Sequence, residues 1–221
     1  MLNEGRQDES VRDVFDLFYV EYPTNVEKDT YADDVRAFAA AHERGIEHNL
    51  TNKIENHDTA SDRGFSRYEH SVGHEGTDLA VFMMYMESGV PFVFNGNEFG
   101  DTAENNMFSN RFYGRRSAMD YSCAFTDYGL RRAELITNLN HLRRTEPALL
   151  TGDTEMPDSP AGTLFLLRRA AGETILAAVH TGEGEITVEL PAAVPQAKTL
   201  LARNAAAEKG QSALTVAVSS P

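Results

Sequence analysis

The chain has 221 residues, 41% of them apolar and 24% charged, a mixture that supports one or two packed domains and excludes a low-complexity or disordered polymer. Its single cysteine, Cys123, excludes an internal disulfide framework and a cysteine-rich zinc site. Acids outnumber bases 34 to 20 for a net charge of −14, which repels phosphate backbones and argues against a nucleic-acid partner.

That charge is uneven. Residues 151–221 hold eight acids and five bases, so −11 of it lies on residues 1–150. The opening MLNEGRQDES is polar and lacks the basic and apolar regions of a signal peptide. No apolar run approaches the ~18 residues of a membrane span, which argues against a membrane partner.

In chain order, residues 1–4 are a short strand candidate, and the aromatic and β-branched residues 12–20 (RDVFDLFYV) predict a strand broken by Pro23. From Asp29 to His48 the apolar spacing of Val35, Phe38, Ala39 and Ile46 predicts a helix. Residues 50–56 form a further strand candidate that leads into the polar NHDTASD. Over 74–88, Leu79, Phe82, Met83 and Met86 make a helical stripe, with Glu75 and Asp78 suited to the helix N-terminus and Gly89 to its stop. Met83, Met84 and Met86 read as core filler.

PFVFN at 91–95 is nearly all apolar, as expected of a strand buried on both faces. The segment 96–122 is too long for an ordinary connection, and its aromatic and arginine content predicts an ordered, functional loop. A helix follows over 127–145, with Leu130, Leu135, Ile136, Leu139 and Leu142 inward and an end before Pro147. After about residue 150 the texture changes to short strands divided by turn residues, an antiparallel β module.

Strand–helix alternation implies parallel strands flanked by helices. A closed eight-stranded barrel needs roughly 250 residues, so the first part of the chain reads as a portion of a larger α/β domain. Ligands in such folds bind at the carboxyl ends of the strands, and three ends carry acids: Glu4 in MLNEG, Glu55 and Asp58 in IENHD, and Glu98 in FNGNE. Facing carboxylates at a barrel mouth are what glycosidic cleavage requires, although such acids also cap turns and helix N-termini.

The motifs narrow this choice. ENHDT at 55–59 followed by GVPFVFNGNEFGDT at 89–102 resembles the α-amylase superfamily, glycoside hydrolase family 13, where an N-H-D motif ends the seventh barrel strand and a G-x-P-x-x-Y-x-G-x-E-x-G segment forms the eighth. MLNEGRQDES with the later FDLFY is similar to that family's fifth-to-sixth-strand stretch.

The resemblance implies an α/β fold, the C-terminal half of a (β/α)8 TIM barrel (strands 5 to 8, residues 1–148), followed by a small antiparallel β-sandwich domain (149–221). It implies an α-glucosidic oligosaccharide or polysaccharide as partner. Glu4 would be the general acid/base. Asp58 would be the carboxylate that stabilises the distorted sugar, with Asn56 and His57 binding the same sugar. Glu98 would brace the eighth-strand loop. Arg111, Arg115 and Arg116 are either acceptor-subsite contacts or solvated loop charges.

The family's nucleophile, its strand-three aspartate–histidine motif and its calcium ligands have no counterpart in these residues. The resemblance thus implies no cofactor held by this chain, a missing N-terminal half of the barrel as partner, and no hydrolysis by these 221 residues alone.

Two alternatives stand beside it. A non-catalytic scaffold or interaction subunit of the same fold would also lack the nucleophile. A metal-dependent phosphohydrolase built on His57 and Asp58, with His42, His48, His70 and His74, would need a mainly helical chain, and His70 and His74 lack the glutamate of an HExxH pair. Cys123 has no partner motif and reads as an inert thiol.

Overall fold

The computed structural model describes residues 18–21, 33, 37, 50–56, 67–103, 119–159, 162–170, 172–180, 184–189, 200–202, 205–209 and 213–218. The predicted strand at 12–20 appears as β1 (Phe18–Glu21), and that at 50–56 as β2 (Leu50–Lys53). They pair in parallel, Phe18 opposite Leu50 and Glu21 opposite Lys53. β2 pairs in parallel with β3 (Val90–Pro91), so the sheet runs β1-β2-β3 in chain order. Between β1 and β2, Asp33 and Ala37 are helical and exposed, inside the helix predicted over 29–48. The strand candidate at 1–4 lies outside the described residues.

The expectation of a doubly buried strand over Pro91–Asn95 is corrected. The ladder stops at Pro91, and Phe92 N donates its main-chain bond to Asn52 O at 2.7 Å. Val90 is 42% and Phe92 37% exposed. Among the described residues no strand pairs with the far side of β3, which leaves it an edge strand.

Helix α1 (Tyr68–Met86) is two helical pieces merged across Gly73, whose φ of 70° and ψ of −176° break the helix. The regular part begins at residue 74, where the spacing places it, and Thr77 Oγ1 donates to Gly73 O at 2.8 Å. Burial is broader than the predicted stripe. Thr77, Asp78, Ala80, Val81 and Met83 to Met86 are buried, whereas Leu79 and Phe82 are half-buried. A helix covered on one side would bury a single stripe; α1 instead packs against β3, a second helix and a strand of the next sheet. Glu87 caps it, and Gly89 (φ 98°) lies two residues beyond the cap rather than directly after it.

That second helix, α2 (Asp127–Thr145), has the predicted limits. Thr126 Oγ1 accepts from Gly129 N at 3.0 Å, and Arg143 and Arg144 complement the helix dipole in the last turn. Leu135, Ile136, Leu139 and Leu142 are buried. The inward placement of Leu130 is corrected: it is 57% exposed, because Arg132 occupies the inward position of that turn. α3 (Pro147–Thr151) follows with proline in its first turn, and Glu173 Oε2 accepts from its Ala148 N at 2.8 Å.

Among the described residues two antiparallel sheets follow, as the texture after residue 150 predicts. One has the order β4 (Asp153–Glu155), β5 (Thr163–Ala170), β6 (Glu173–His180). The other has the order β7 (Gly184–Glu189), β9 (Ala213–Val218), β8 (Ala205–Lys209). Leu164 and Leu166 of β5 and Ile175, Ala177 and Val179 of β6 join Ile54, α1, α2 and α3 in one apolar core. That core runs without interruption across residues 148 and 149, both of which it contains.

The carboxyl end of α1 is held by two cations. Arg143 Nη1 donates to Tyr85 O and Glu87 O at 3.0 and 2.9 Å, and its Nη2 donates to Gly89 O. Arg168, fully buried on β5, donates from Nη1 to Met86 O at 2.9 Å and from Nη2 to Gly152 O at 2.9 Å. Helix-terminal carbonyls without intrahelical partners are thereby satisfied. Burial lowers both guanidinium pKa values, that of Arg143 to about 10, with Arg168 adding repulsion. Glu87 and Asp153 offset part of the effect at Arg168.

Candidate functional site

Parallel pairing brings the carboxyl ends of β1, β2 and β3 to one edge of the sheet. At β2 the chain continues through Ile54, Glu55 and Asn56, all buried. After β3, Asn95 to Asp101 form a tight turn around a 3-10 segment, Asn97–Phe99. Its geometry demands glycine at 96: φ is 95°, and a Cβ there would lie 2.7 Å from Asp101 Cβ. Asp101 N donates to Gly96 O at 2.9 Å, and Phe94 N to Asn97 Oδ1 at 3.1 Å.

A buried polar cluster joins the two strand ends. Glu55 Oε1 accepts from Arg67 Nε at 2.8 Å and from Asn97 Nδ2 at 2.6 Å, while its Oε2 accepts from Tyr68 N at 2.7 Å. Three donors on one carboxylate offset its removal from water. Arg67 Nη2 also donates to Asn95 O at 3.3 Å, and Nη1 lies 3.5 Å from Asp101 Oδ2. The guanidinium carbon stands 5.5 Å from the centre of the Phe94 ring.

A second cluster adjoins it. Arg132, fully buried on α2, donates from Nη1 to Asn97 O at 3.0 Å and from Nη2 to Glu69 Oε1 at 3.0 Å and His74 O at 3.2 Å. Its Nε donates to Asp78 and its Nη2 to the Tyr128 hydroxyl. Tyr128 in turn donates to Glu69 Oε1 at 2.6 Å, and its ring stacks on His74 at 3.5 Å. Asp78 therefore answers Arg132, in place of the helix-dipole role its position suggests. Gly100, at φ 71°, leaves room for Tyr128; a Cβ would lie 2.2 Å from Tyr128 Cε1.

Of the residues predicted to carry chemistry, Asn56 is described and buried at the end of β2. Glu4, His57 and Asp58 lie outside the described residues, as do Arg111, Arg115 and Arg116. Glu98 braces its loop as expected, Oε2 accepting from Gly96 N at 2.8 Å. Of the histidine pair, His70 is exposed and His74 pairs with Glu69 at 2.9 Å, with the break at Gly73 between them. Cys123 is partly buried, and desolvation and the charges of Asp120 and Asp101 push its thiol pKa up, which fits an inert thiol.

Sequence reasoning missed Arg67, Asn97, Asp101, Tyr128 and Arg132. A signal existed for Arg132, which stands in helical register with Leu135, Ile136 and Leu139. Among the described residues no group of three or more His, Cys, Asp or Glu side chains is arranged to hold a metal ion. Nor is any described helix long and apolar enough to cross a membrane.

No protein-family model matches the chain, and no curated protein matches it. Solved structures do. The ligand-free cyclic α-maltosyl-(1→6)-maltose hydrolase from Arthrobacter globiformis is 20% identical at a TM-score of 0.56, the match covering 85% of this chain and 37% of that one. The debranching enzyme from Nostoc punctiforme is 20% identical at a TM-score of 0.63, covering 85% and 38%. A cyclomaltodextrin glucanotransferase with a three-domain ABC distribution is 23% identical at a TM-score of 0.54, covering 86% and 33%. The Arthrobacter hydrolase is also known in complex with its cyclic substrate and with maltose, and the Nostoc enzyme soaked with acarbose. This chain thus spans a little over a third of the length of the first two. The structures it matches are enzymes of the α-amylase family, and its fold, a parallel sheet with helices followed by antiparallel sheets, is that of part of their chains.

Proposed function

We propose that this chain is the carboxyl-terminal part of a retaining glycosidase or transglycosylase of the α-amylase family, acting on α-glucosidic oligosaccharides or polysaccharides. One observation carries the proposal: the N-H-D motif begins at the carboxyl end of β2, the middle of three parallel strands in chain order, where ligands of such sheets bind. β1, β2 and β3 are then barrel strands six, seven and eight, with strand five at residues 1–4. Residues 1–148 belong to the (β/α)8 barrel, and 149–221 form the β-sandwich domain. The sugars in the matched complexes support an α-glucan as substrate.

In this assignment Glu4 protonates the glycosidic oxygen and later takes a proton from water or an acceptor hydroxyl. Asp58 stabilises the flattened, positively charged ring, and Asn56 and His57 hold the same sugar through hydrogen bonds. Chemistry of this kind runs on carboxylates and needs no cofactor from these residues. It also needs a nucleophilic carboxylate ~5–5.5 Å from the acid/base, which no motif in this chain supplies, so the 221 residues alone release no sugar.

Co-expression with a segment bearing the first four barrel strands, assayed as reducing sugar released from maltoheptaose, tests the proposal. Turnover is expected only in the complemented sample, and Glu4→Gln or Asp58→Asn should lower it by at least about 100-fold. Turnover indifferent to Asp58→Asn overturns the assignment.

A further inference from the structure

One side chain reaches both strand ends at which the proposed sugar site lies. Arg67 is 1% exposed, carries a planar fork of five N–H donors, and uses it in three directions. Nε meets Glu55, the residue before Asn56; Nη2 meets the Asn95 carbonyl, where the loop after β3 begins; Nη1 faces Asp101, where that loop closes. Phe94 flanks the guanidinium. Glu55 is gripped again by Asn97 of the same loop, so the two strand ends are cross-linked twice. At Gly96 the loop runs close to the fork: a Cβ there would sit 3.2 Å from Arg67 Nη1.

This arrangement is more than charge compensation. One cation would neutralise Glu55 from any direction, and a lysine would suffice. The fork instead fixes a distance between two segments that the short β2–β3 ladder, two residue pairs long, constrains weakly. Asn56 follows Glu55 directly and is itself buried, so its place relative to the 95–101 loop is set at that clamp.

We propose that Arg67 is a positioning residue, which holds the end of β2 at Glu55 and Asn56 against the loop after β3 and thereby shapes the subsite for the sugar; this rests on the function proposed above. The test compares the full 221-residue chain with Arg67→Lys, which keeps the charge and loses the fork, and with Asp101→Asn, which weakens one arm. Amide resonances are followed in 15N-labelled protein, with and without maltoheptaose.

The expected result is that the resonances of Asn56, His57 and Asp58 move in both variants while those of Leu164 to Val179 stay. Affinity for maltoheptaose should fall by about tenfold or more in Arg67→Lys. A folded Arg67→Lys with wild-type resonances at 56–58 and wild-type affinity overturns the proposal. Should Arg67→Lys fail to fold, Asp101→Asn decides it: unmoved resonances at 56–58 overturn it, and moved ones support it. Movement of the 56–58 resonances in the variants supports the positioning role whether or not the chain by itself holds maltoheptaose, and the sugar assignment is decided separately by the complemented turnover assay.

Discussion

The two ends of α1 are both held by arginines, Arg67, Arg132 and Arg168 fully buried and Arg143 half-buried, in opposite ways. Around its first turns Arg67 and Arg132 meet carboxylates: Glu55, Asp101, Glu69 and Asp78. Around its last turn Arg143 and Arg168 direct their N–H groups at main-chain carbonyls, with Glu87 and Asp153 acting on Arg168 from nearby. The first arrangement joins separate segments at the edge where ligands bind. The second completes a helix terminus, where a cation is favoured by the aligned peptide dipoles. Identical side chains thus serve as connectors at one end and as caps at the other.

Removing a connector should cost most. Arg132→Met leaves Glu69 and Asp78 buried without their cation, and urea unfolding should show a loss of about 3–5 kcal/mol. Removing a cap should cost less, because only neutral carbonyls lose donors while a desolvated charge disappears: Arg168→Met is expected to lose about 1–3 kcal/mol in the same titration. Equal losses would erase the distinction between the two ends. Thr126→Ala removes the hydroxyl that caps α2 and should lower stability by about 1 kcal/mol, read as a shift of the thermal midpoint.

The smallest effect is confined to alkaline solution. Burial pushes the Tyr85 hydroxyl above its ordinary pKa of 10.0, against smaller opposing contributions from Asn140 and Arg143. The neutral phenol is thus favoured in the folded chain, and its contribution is complete below pH 10. It is lost as pH rises through the higher folded value. Tyr85→Phe should flatten that part of the stability-against-pH curve and leave neutral pH nearly unchanged.

The sequence was most legible where local signals agreed. α2 has a threonine cap, an apolar period and Pro147 beyond its end, and its predicted limits match. The regular part of α1 begins after Gly73 because a residue without a Cβ permits the positive φ of that break. β5 and β6 follow from short strand-forming runs divided by turn residues. β8 was missed, since AAAEK carries little strand propensity and is fixed by pairing with β9. The arginine clusters were missed for a related reason: a lone charge on a helix reads as solvated, and only partners distant in sequence bury it. Asp78 and Arg132 are 54 residues apart. The apolar run after Gly89 misled because apolar composition does not report what lies across an edge strand. The end of β2 before Asn56 and the bracing Glu98 were readable, whereas the clamp of Arg67, Asn97 and Asp101 was not.

The unbroken apolar core has a practical consequence for anyone dissecting this protein. A cut after residue 148 would fall inside a packed interior, stripping Met83 and Leu139 on one side and Leu164 and Ile175 on the other of shared neighbours. Each half would carry a raw greasy surface and would be expected to precipitate or to recapture its counterpart, so primers and protease sites are better placed elsewhere. The same restriction holds for exchange of parts: replacing the β4-β5-β6 sheet by another appendage demands that α1 and α2 be re-tailored with it.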